Sequence, residues 1–495
     1  MTQAVDHVAL LPGYLAAGTA VLVLLADLLV GRRAVTLGVA VAGGAATAVG
    51  AIVVGSGASR STLCVADGCS YVAGGRAALV AALFGFLTVG VLALSAPLLR
   101  AGVAPAGEYC FLLACSMTGG VVLGAAGDLI TLIVALETLT LPLYVLVGLR
   151  RQTAESAAAA VTFFVVSVVA TAVTLLGAAL VYAVTGRLHL TALRGALTGD
   201  VPLAGGAAQP ALDLPLTSVA IALVVLGLAF KVAAVPFHAW APATYDGAPL
   251  PVAAYLSTAS KLGGVVALLA VVAVAFPATV TGPLLAALAV LTMTVGNLVA
   301  LRQIRMTRLL AWSSVAQAGY ILAPLGALAA APGRTDAATT TAVTATVAYT
   351  IFFVAIELGA FAAVVALRPA TADGGRLDYY RGAARAHRWV GAALALALIG
   401  LAGLPPGLAG LFAKVAVVRS LLTGGAGWLA VVVALNAVIG LAYYVRVAAS
   451  LYAPDPLARP PTRAPWPVAG AMAAATAVAI AVGFAPQLVL DWAAQ

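Results

Sequence analysis

The sequence predicts an all-α polytopic membrane protein of about fourteen transmembrane helices, and three observations carry that prediction. Hydrophobic residues fill 63% of the 495 positions, charged residues only 8%, and mean hydropathy is +1.12. A water-soluble domain carries roughly a quarter charged residues, so this chain lacks the polar surface that water requires. Apolar runs of about 20 residues recur along its length, each long enough as a helix to cross about 30 Å of hydrocarbon. Alternating barrel-type strands are missing from the sequence, which leaves helices, whose backbone hydrogen bonds are satisfied internally.

The runs start near Leu10, Ala34, Ala77, Cys110, Leu129, Ala157, Thr217, Pro249, Pro283, Leu309, Thr341, Val390, Trp428 and Val468. Asp6 and His7 precede the first one where a signal peptide would be basic, and no cleavage pattern follows, so it is expected to be a retained helix. Two later runs carry helix-breaking sequence: Lys231-Val-Ala-Ala-Val-Pro236-Phe-His238 and Leu404-Pro405-Pro406-Gly407. Proline removes a backbone donor and interrupts a helix, and paired broken helices in corresponding halves mark ion paths in transporters. Their spacing suggests inverted five-helix repeats, giving segments 1–106, 107–275, 276–453 and 454–495. Polar stretches near 186–213 and 368–388 interrupt the runs, and the second is expected to be a solvated connector.

The net charge of +9 is a topology signal and no footprint of nucleic acid. Arginines cluster in alternate loops: Arg32 and Arg33; Arg150 and Arg151; Arg302, Arg305 and Arg308; Arg376, Arg381, Arg385 and Arg388; Arg459 and Arg463. By the positive-inside rule those loops face the cytoplasm and both termini face outward. Cys64 and Cys69 then lie on the oxidising side, where a short disulfide could form, whereas Cys110 and Cys115 sit in an apolar run as packing residues. Neither pair has partners at metal-site spacing, and no glycine-rich phosphate loop is present.

The strongest functional signal is the lysine inventory. Of 25 Lys plus Arg, only Lys231, Lys261 and Lys414 are lysine, and all three lie within or beside apolar runs. A lysine at a helix centre costs roughly 2.5–3.5 kcal/mol on insertion scales. Lysine can give up its proton when buried, and arginine cannot, so a row of buried lysines can hold and release protons. The competing reading is snorkelling from a span end to the headgroups, which suits Lys414 best. Glu137, about two turns into its run, is the natural counter-charge for Lys231, either as a pair that opens and closes or as a static pair. His238 could relay protons if one helix continued from Lys231 through Pro236, or be a hydrogen-bonded interfacial histidine. Glu357 is a second buried acid and a partner for a central lysine. Asp27 and Asp128 are expected to be solvated at span ends, with Trp240 and Trp312 in an aromatic belt.

Several of these stretches resemble one family. Phe230-Lys-Val-Ala-Ala-Val-Pro-Phe-His-Ala-Trp240, Tyr245-Asp-Gly-Ala-Pro-Leu-Pro251 and Ser257-Thr-Ala-Ser-Lys261 are similar to the antiporter-like membrane subunits of NADH–quinone oxidoreductase, respiratory complex I. The Gly-Ala-Pro turn and the Thr-Ala-Ser-Lys ending are most similar to the subunit N branch. Asp128-Leu-Ile-Thr-Leu through Leu141-Pro-Leu-Tyr144, Arg308-Leu-Leu-Ala-Trp-Ser-Ser314 and Gly403-Leu-Pro-Pro-Gly-Leu-Ala-Gly-Leu-Phe-Ala-Lys414 also match it. The resemblance implies a non-redox translocase subunit of the bacterial inner membrane, beside other antiporter-like and small membrane subunits of the complex. It implies no cofactor or metal in this chain, with NADH, FMN, iron–sulfur clusters and quinone handled by partner subunits. It also implies Glu137 and Lys231 as a modulating pair, Lys261 as central relay and Lys414 as the residue facing an outer half-channel. Two positions depart from the family pattern: Gln317 stands where histidine is frequent, calling for a water bridge, and Glu357 where asparagine is frequent. The rival readings are a subunit of a multisubunit cation/proton antiporter, marked by a sodium response without an NADH response, and a purely structural anchor, marked by tolerance of neutral replacements at the lysines.

Overall fold

The computed structural model describes residues 5–149, 153–201, 203, 210–454 and 464–494. Arg150, Arg151, Arg459 and Arg463, members of the basic clusters, lie outside the described residues. Eleven helices among the described residues are long and apolar enough to cross a membrane. They are joined by shorter apolar helices and two interrupted spans, so the chain is an all-α multi-pass membrane protein, as its composition predicts.

The N-terminal part holds α1 (Leu11–Val30), α2 (Arg33–Gly55) and α3 (Gly75–Arg100). Between α2 and α3 the chain forms an antiparallel hairpin of β1 (Arg60–Val65) and β2 (Gly68–Ala73), with Cys64 opposite Cys69 in register. The two cysteines are joined in a disulfide. Asp6 pairs with Arg60 at 3.0 Å and Asp67 with Arg187, so the hairpin ties the N-terminal segment to the loop that follows α6. A bridge closing so short a loop limits the unfolded chain by about 2 kcal/mol. Cys64→Ser is therefore expected to loosen the hairpin while leaving the bundle assembled. Thiol titration should find two free cysteines in the unfolded, unreduced protein; four would remove the bridge.

Next come α4 (Ala106–Gly124), α5 (Leu129–Val147), the long α6 (Ala154–Thr185) and a short amphipathic α7 (Leu190–Thr198). Asp128 starts α5: its carboxylate accepts from the Thr131 amide at 2.7 Å and from the Thr131 hydroxyl at 2.8 Å. It is only 5% exposed. Its expected solvation is corrected, because a helix N-cap is satisfied by the amides it caps. The first interrupted span is α8 (Pro215–Lys231) followed by α9 (Trp240–Gly247). Then a helical stretch over Leu250–Ala275 contains α10 (Leu250–Tyr255), a wide π-type turn over Leu256–Ser260 and α11 (Lys261–Leu269).

The C-terminal part repeats this order of packing. It consists of α12 (Ala278–Ala300), α13 (Met306–Gly326), the long α14 (Asp336–Leu367), a turn α15 (Ala383–Ala386), and a second interrupted span, α16 (Arg388–Ala402) and α17 (Leu408–Thr423). It ends with α18 (Gly427–Tyr452), α19 (Trp466–Phe484) and α20 (Pro486–Ala494). α4 packs on α5 as α12 does on α13, and α6 packs on α8 and α9 as α14 does on α16 and α17. α6 and α14 are both 32 residues long. The loop after α14 is exposed at many positions, as a solvated connector would be, and ion pairs anchor it to the bundle. Asp373 accepts from Arg305 at 2.7 Å and from Arg368 at 3.4 Å, and Tyr380 is buried beneath it. Arg305 also holds Asp246 at 2.8 Å, so one guanidinium in the α12–α13 turn ties the end of α9 to the loop after α14.

Candidate functional site

Each interruption places a lysine at or across the broken helix: Lys231 ends the first helix, and Lys414 reaches the end of the other. Lys231 is the last residue of α8, where the chain leaves the helix and turns through a left-handed Ala233 (φ 59°). Carbonyls at such an end carry partial negative charge. The helix does not continue to His238, so the seven-residue spacing on one face does not apply. His238 is half-buried in the break, its ring 5.1 Å from that of Trp312. Its Nδ1 has no partner among the described residues. Trp240 is not at an interface: it is buried, its ring stacks 4.6 Å from Phe163, and its indole donates to the Phe230 carbonyl at 3.1 Å. The break carries this tryptophan into the bundle, where its indole shares the Phe230 carbonyl with the Ala233 amide.

The expected pair is formed. Lys231 Nζ donates to Glu137 Oε1 at 2.9 Å, to Ser167 at 3.1 Å and to Thr140 at 3.2 Å, using all three of its N–H groups. Thr171 donates to the same Glu137 oxygen at 2.7 Å, and the Tyr144 hydroxyl donates to Ser167. The sequence builds this socket through helical spacing. Glu137 and Thr140 lie three apart on α5, Ser167 and Thr171 four apart on α6, and such pairs share a helix face. The side chain of Lys231 is 5% exposed and that of Glu137 21%, so the cation is inside and the carboxylate nearer the edge of the bundle.

Lys261 sits on α11, directly after the wide turn, and α11 packs against α8. A Cβ at Gly264 would come within 2.9 Å of the Lys231 carbonyl carbon, so glycine there lets the two lysine-bearing helices touch. Lys261 Nζ donates to the Ser314 carbonyl and lies 5.6 Å from the Phe353 ring centre. Glu357, one turn beyond Phe353 on α14, is fully buried, interacts electrostatically with Lys261, and has no hydrogen-bond partner on either oxygen among the described residues. Charge attraction without a formed bond leaves this second acid–lysine couple open.

Lys414 on α17 reaches back across the second break. Its ammonium donates to the Leu401 carbonyl at 3.3 Å and to the Ala402 carbonyl, at the end of α16, and lies 5.2 Å from the Tyr320 ring centre. Gly403 ends α16 in a left-handed conformation (φ 81°), and a Cβ there would meet the Lys414 side chain at 2.7 Å. A cleft lined by Lys414, Arg419, Leu422, Val433 and Val438 lies beside it.

Between Lys261 and Lys414 lies a polar cluster that sequence reasoning noticed only at Gln317. Gln317 donates to the Leu401 carbonyl at 3.1 Å and to the Tyr444 hydroxyl at 3.0 Å, and accepts from Tyr349. Tyr444 also shares a hydrogen bond with Ser313. Leu401 thus accepts from both Gln317 and Lys414, while Ser314, next to Ser313, accepts from Lys261. The adjacent Tyr443 and Tyr444 within an apolar run were the available signal. The Ser and Thr groups around Lys231 gave none, because such residues are frequent in apolar helices.

Known proteins match this chain in family and in fold. The family described as NADH:quinone oxidoreductase/Mrp antiporter, transmembrane, matches residues 126–440. A curated relative from Salinispora tropica, called NADH-quinone oxidoreductase subunit N, is 69% identical over all of both chains. A chain in the structure of respiratory complex I from Thermus thermophilus is 28% identical with a TM-score of 0.78, covering 97% of this chain and 98% of that one. A chain of the Mrp complex from a Dietzia species is similar in fold at 22% identity, with a TM-score of 0.83 and coverage of 98% and 96%. From its matched core and its full-length likeness, this chain belongs to the NADH:quinone oxidoreductase/Mrp antiporter family of transmembrane subunits, in the subunit N branch.

Proposed function

We propose that this chain is a proton-translocating membrane subunit of an NADH–quinone oxidoreductase, converting electron transfer in partner subunits into proton movement through its own buried charges. The observation that carries this reading is the row of three lysines, each inside the bundle and each next to a different kind of partner. Among the described residues, Lys231 has a carboxylate in contact, Lys261 a carboxylate at a distance, and Lys414 carbonyls and a ring. A proton moving along such a row meets sites whose charge balance differs, which lets one site's occupancy bias the next.

In this reading Glu137 and Lys231 form the modulating pair, Lys261 the relay and Lys414 the outlet, with the cleft beside Lys414 as the outer half-channel. Glu357 holds Lys261 by charge, and His238 is an entry relay beside Trp312. Segments 107–275 and 276–453 act as inverted repeats, a division supported by the matching order of packing and the two equally long helices. Segments 1–106 and 454–495 flank them. Both termini face outward from the bacterial inner membrane, in keeping with the arginine clusters and with a disulfide in the hairpin on that side. NADH, FMN, iron–sulfur clusters and quinone belong to partner subunits. The experiment is NADH oxidation by quinone in native-membrane complexes containing this chain. Co-purifying oxidation coupled to proton uptake supports the reading; sodium-dependent exchange without NADH oxidation sinks it.

The Gln317 cluster supplies the step between Lys261 and Lys414. The Tyr444 hydroxyl, set between Ser313 and Gln317, can accept one proton while donating another, which the Gln317 amide cannot do alone. Tyr444→Phe is expected to slow coupled proton uptake by roughly tenfold, a barrier increase of about 1.4 kcal/mol, while the complex still assembles. Unchanged uptake by this variant would remove Tyr444 from the path.

A further inference from the structure

Away from the charged axis, a long cleft of about 1020 Å³ runs between α2 and α3 on one side and α14 and α19 on the other. Its walls are apolar for most of its length, with Leu37, Val41, Phe86, Leu87, Leu358 and Val478 among them. At one end stand two cations, Arg33 at the start of α2 and Arg100 at the end of α3, together with the exposed Trp466 at the start of α19. Arg33 is anchored: its guanidinium donates to the Leu99 and Arg100 carbonyls at 3.4 Å each, which fixes it at the cleft mouth. Among the described residues no aspartate or glutamate lines the cleft. Asp27, the nearest acid in sequence, is engaged with Thr36.

We infer that this cleft is a binding site for one anionic phospholipid, its phosphate between Arg33 and Arg100 and its acyl chains along α3 and α14. Basic pockets between transmembrane helices select anionic headgroups, since each cation near the surface adds attraction for them. A tryptophan at the same level is the side chain favoured where headgroups meet hydrocarbon. Two glycines keep the slot open. Cβ atoms added at Gly38 or Gly470 would meet nothing within 4 Å, although both residues line the cleft. Small residues at these two points create space with no close helix contact to account for them. The lipid would join α2 and α3 to α14, the helix that carries Glu357.

The test uses the intact complex in vesicles containing a photoactivatable phosphatidylglycerol or phosphatidylcholine with the reactive group on an acyl chain. Labelled peptides should map to the cleft walls with phosphatidylglycerol, and excess unlabelled phosphatidylglycerol should compete while phosphatidylcholine does not. The Arg33→Gln/Arg100→Gln double variant should reduce labelling by roughly tenfold or more. Gly470→Leu, which keeps both arginines and fills free space, should reduce it as well. NADH oxidation serves as the check that each variant is assembled. Equal labelling by the two lipids, labelling indifferent to the variants, or cross-links from the cleft to a neighbouring subunit would each overturn the site.

Discussion

Replacing Lys231 with methionine is expected to remove most coupled proton uptake while quinone-linked NADH oxidation in the partner subunits persists. In the folded chain Lys231 satisfies Glu137, Thr140 and Ser167 at once. Methionine leaves a partly buried carboxylate with Thr171 as its remaining donor. Breaking a buried pair by removing one member costs roughly 3–5 kcal/mol, and the 21% exposure of Glu137 puts this case toward the lower end. The double variant Lys231→Met/Glu137→Gln removes both charges, so it should recover most of the lost stability and none of the proton uptake. A static structural pair predicts the opposite for function: uptake would return as stability returned. Proton uptake in vesicles and thermal unfolding of the same preparations separate the two. Full uptake by Lys231→Met would end the mechanism. Moving one charge against 100 mV takes about 2.3 kcal/mol, comparable with the energy stored in such a pair.

Lys261→Arg and Lys261→Met are both expected to lower proton uptake by more than about tenfold, each factor of ten being roughly 1.4 kcal/mol of barrier. Arginine keeps the charge, and its guanidinium can still donate to the Ser314 carbonyl, but it does not release a proton. Methionine fills the space without the charge and leaves Glu357, fully buried and without a hydrogen-bond partner among the described residues, with no cation to interact with. Lys261→Met should therefore destabilise the complex more than Lys261→Arg does, although both lose transport. Adding Glu357→Gln to Lys261→Met should restore stability alone. Uptake retained by Lys261→Arg would show that charge suffices at this position and that no proton passes through it.

The principal charges of the proposed path were legible because each one breaks a rule of composition. A lysine or glutamate inside an apolar run has no topological use, so Glu137, Lys231, Lys261, Lys414 and Glu357 stood out. The same logic failed for groups that break no rule. Thr140, Ser167 and Thr171 are ordinary in apolar helices and gain meaning only when α5 and α6 bring their faces together. The Leu401 carbonyl is backbone, invisible until Gly403 ends the helix beneath Lys414. Trp240 was misplaced because a residue so close to a break was expected at the interface. The prolines announced the break, but not that the chain after it folds back, burying Trp240 and leaving His238 half-buried in the bundle. Asp128 was misjudged because a carboxylate just before a helix can be buried as a cap.

The confinement of every lysine to the bundle also equips the chain with its own reporters. The side-chain amines of this chain are those of Lys231, Lys261 and Lys414, and no flexible surface lysine competes with them. A small amine-reactive reagent added to the folded complex can modify them only where water and the reagent enter. Lys414, beside its cleft, should react first; Lys231, locked by three acceptors, and Lys261, 2% exposed, should react only as the bundle opens. Reaction rates at the three positions, compared between resting and turning-over enzyme, would then read out which part of the path admits solvent during the cycle.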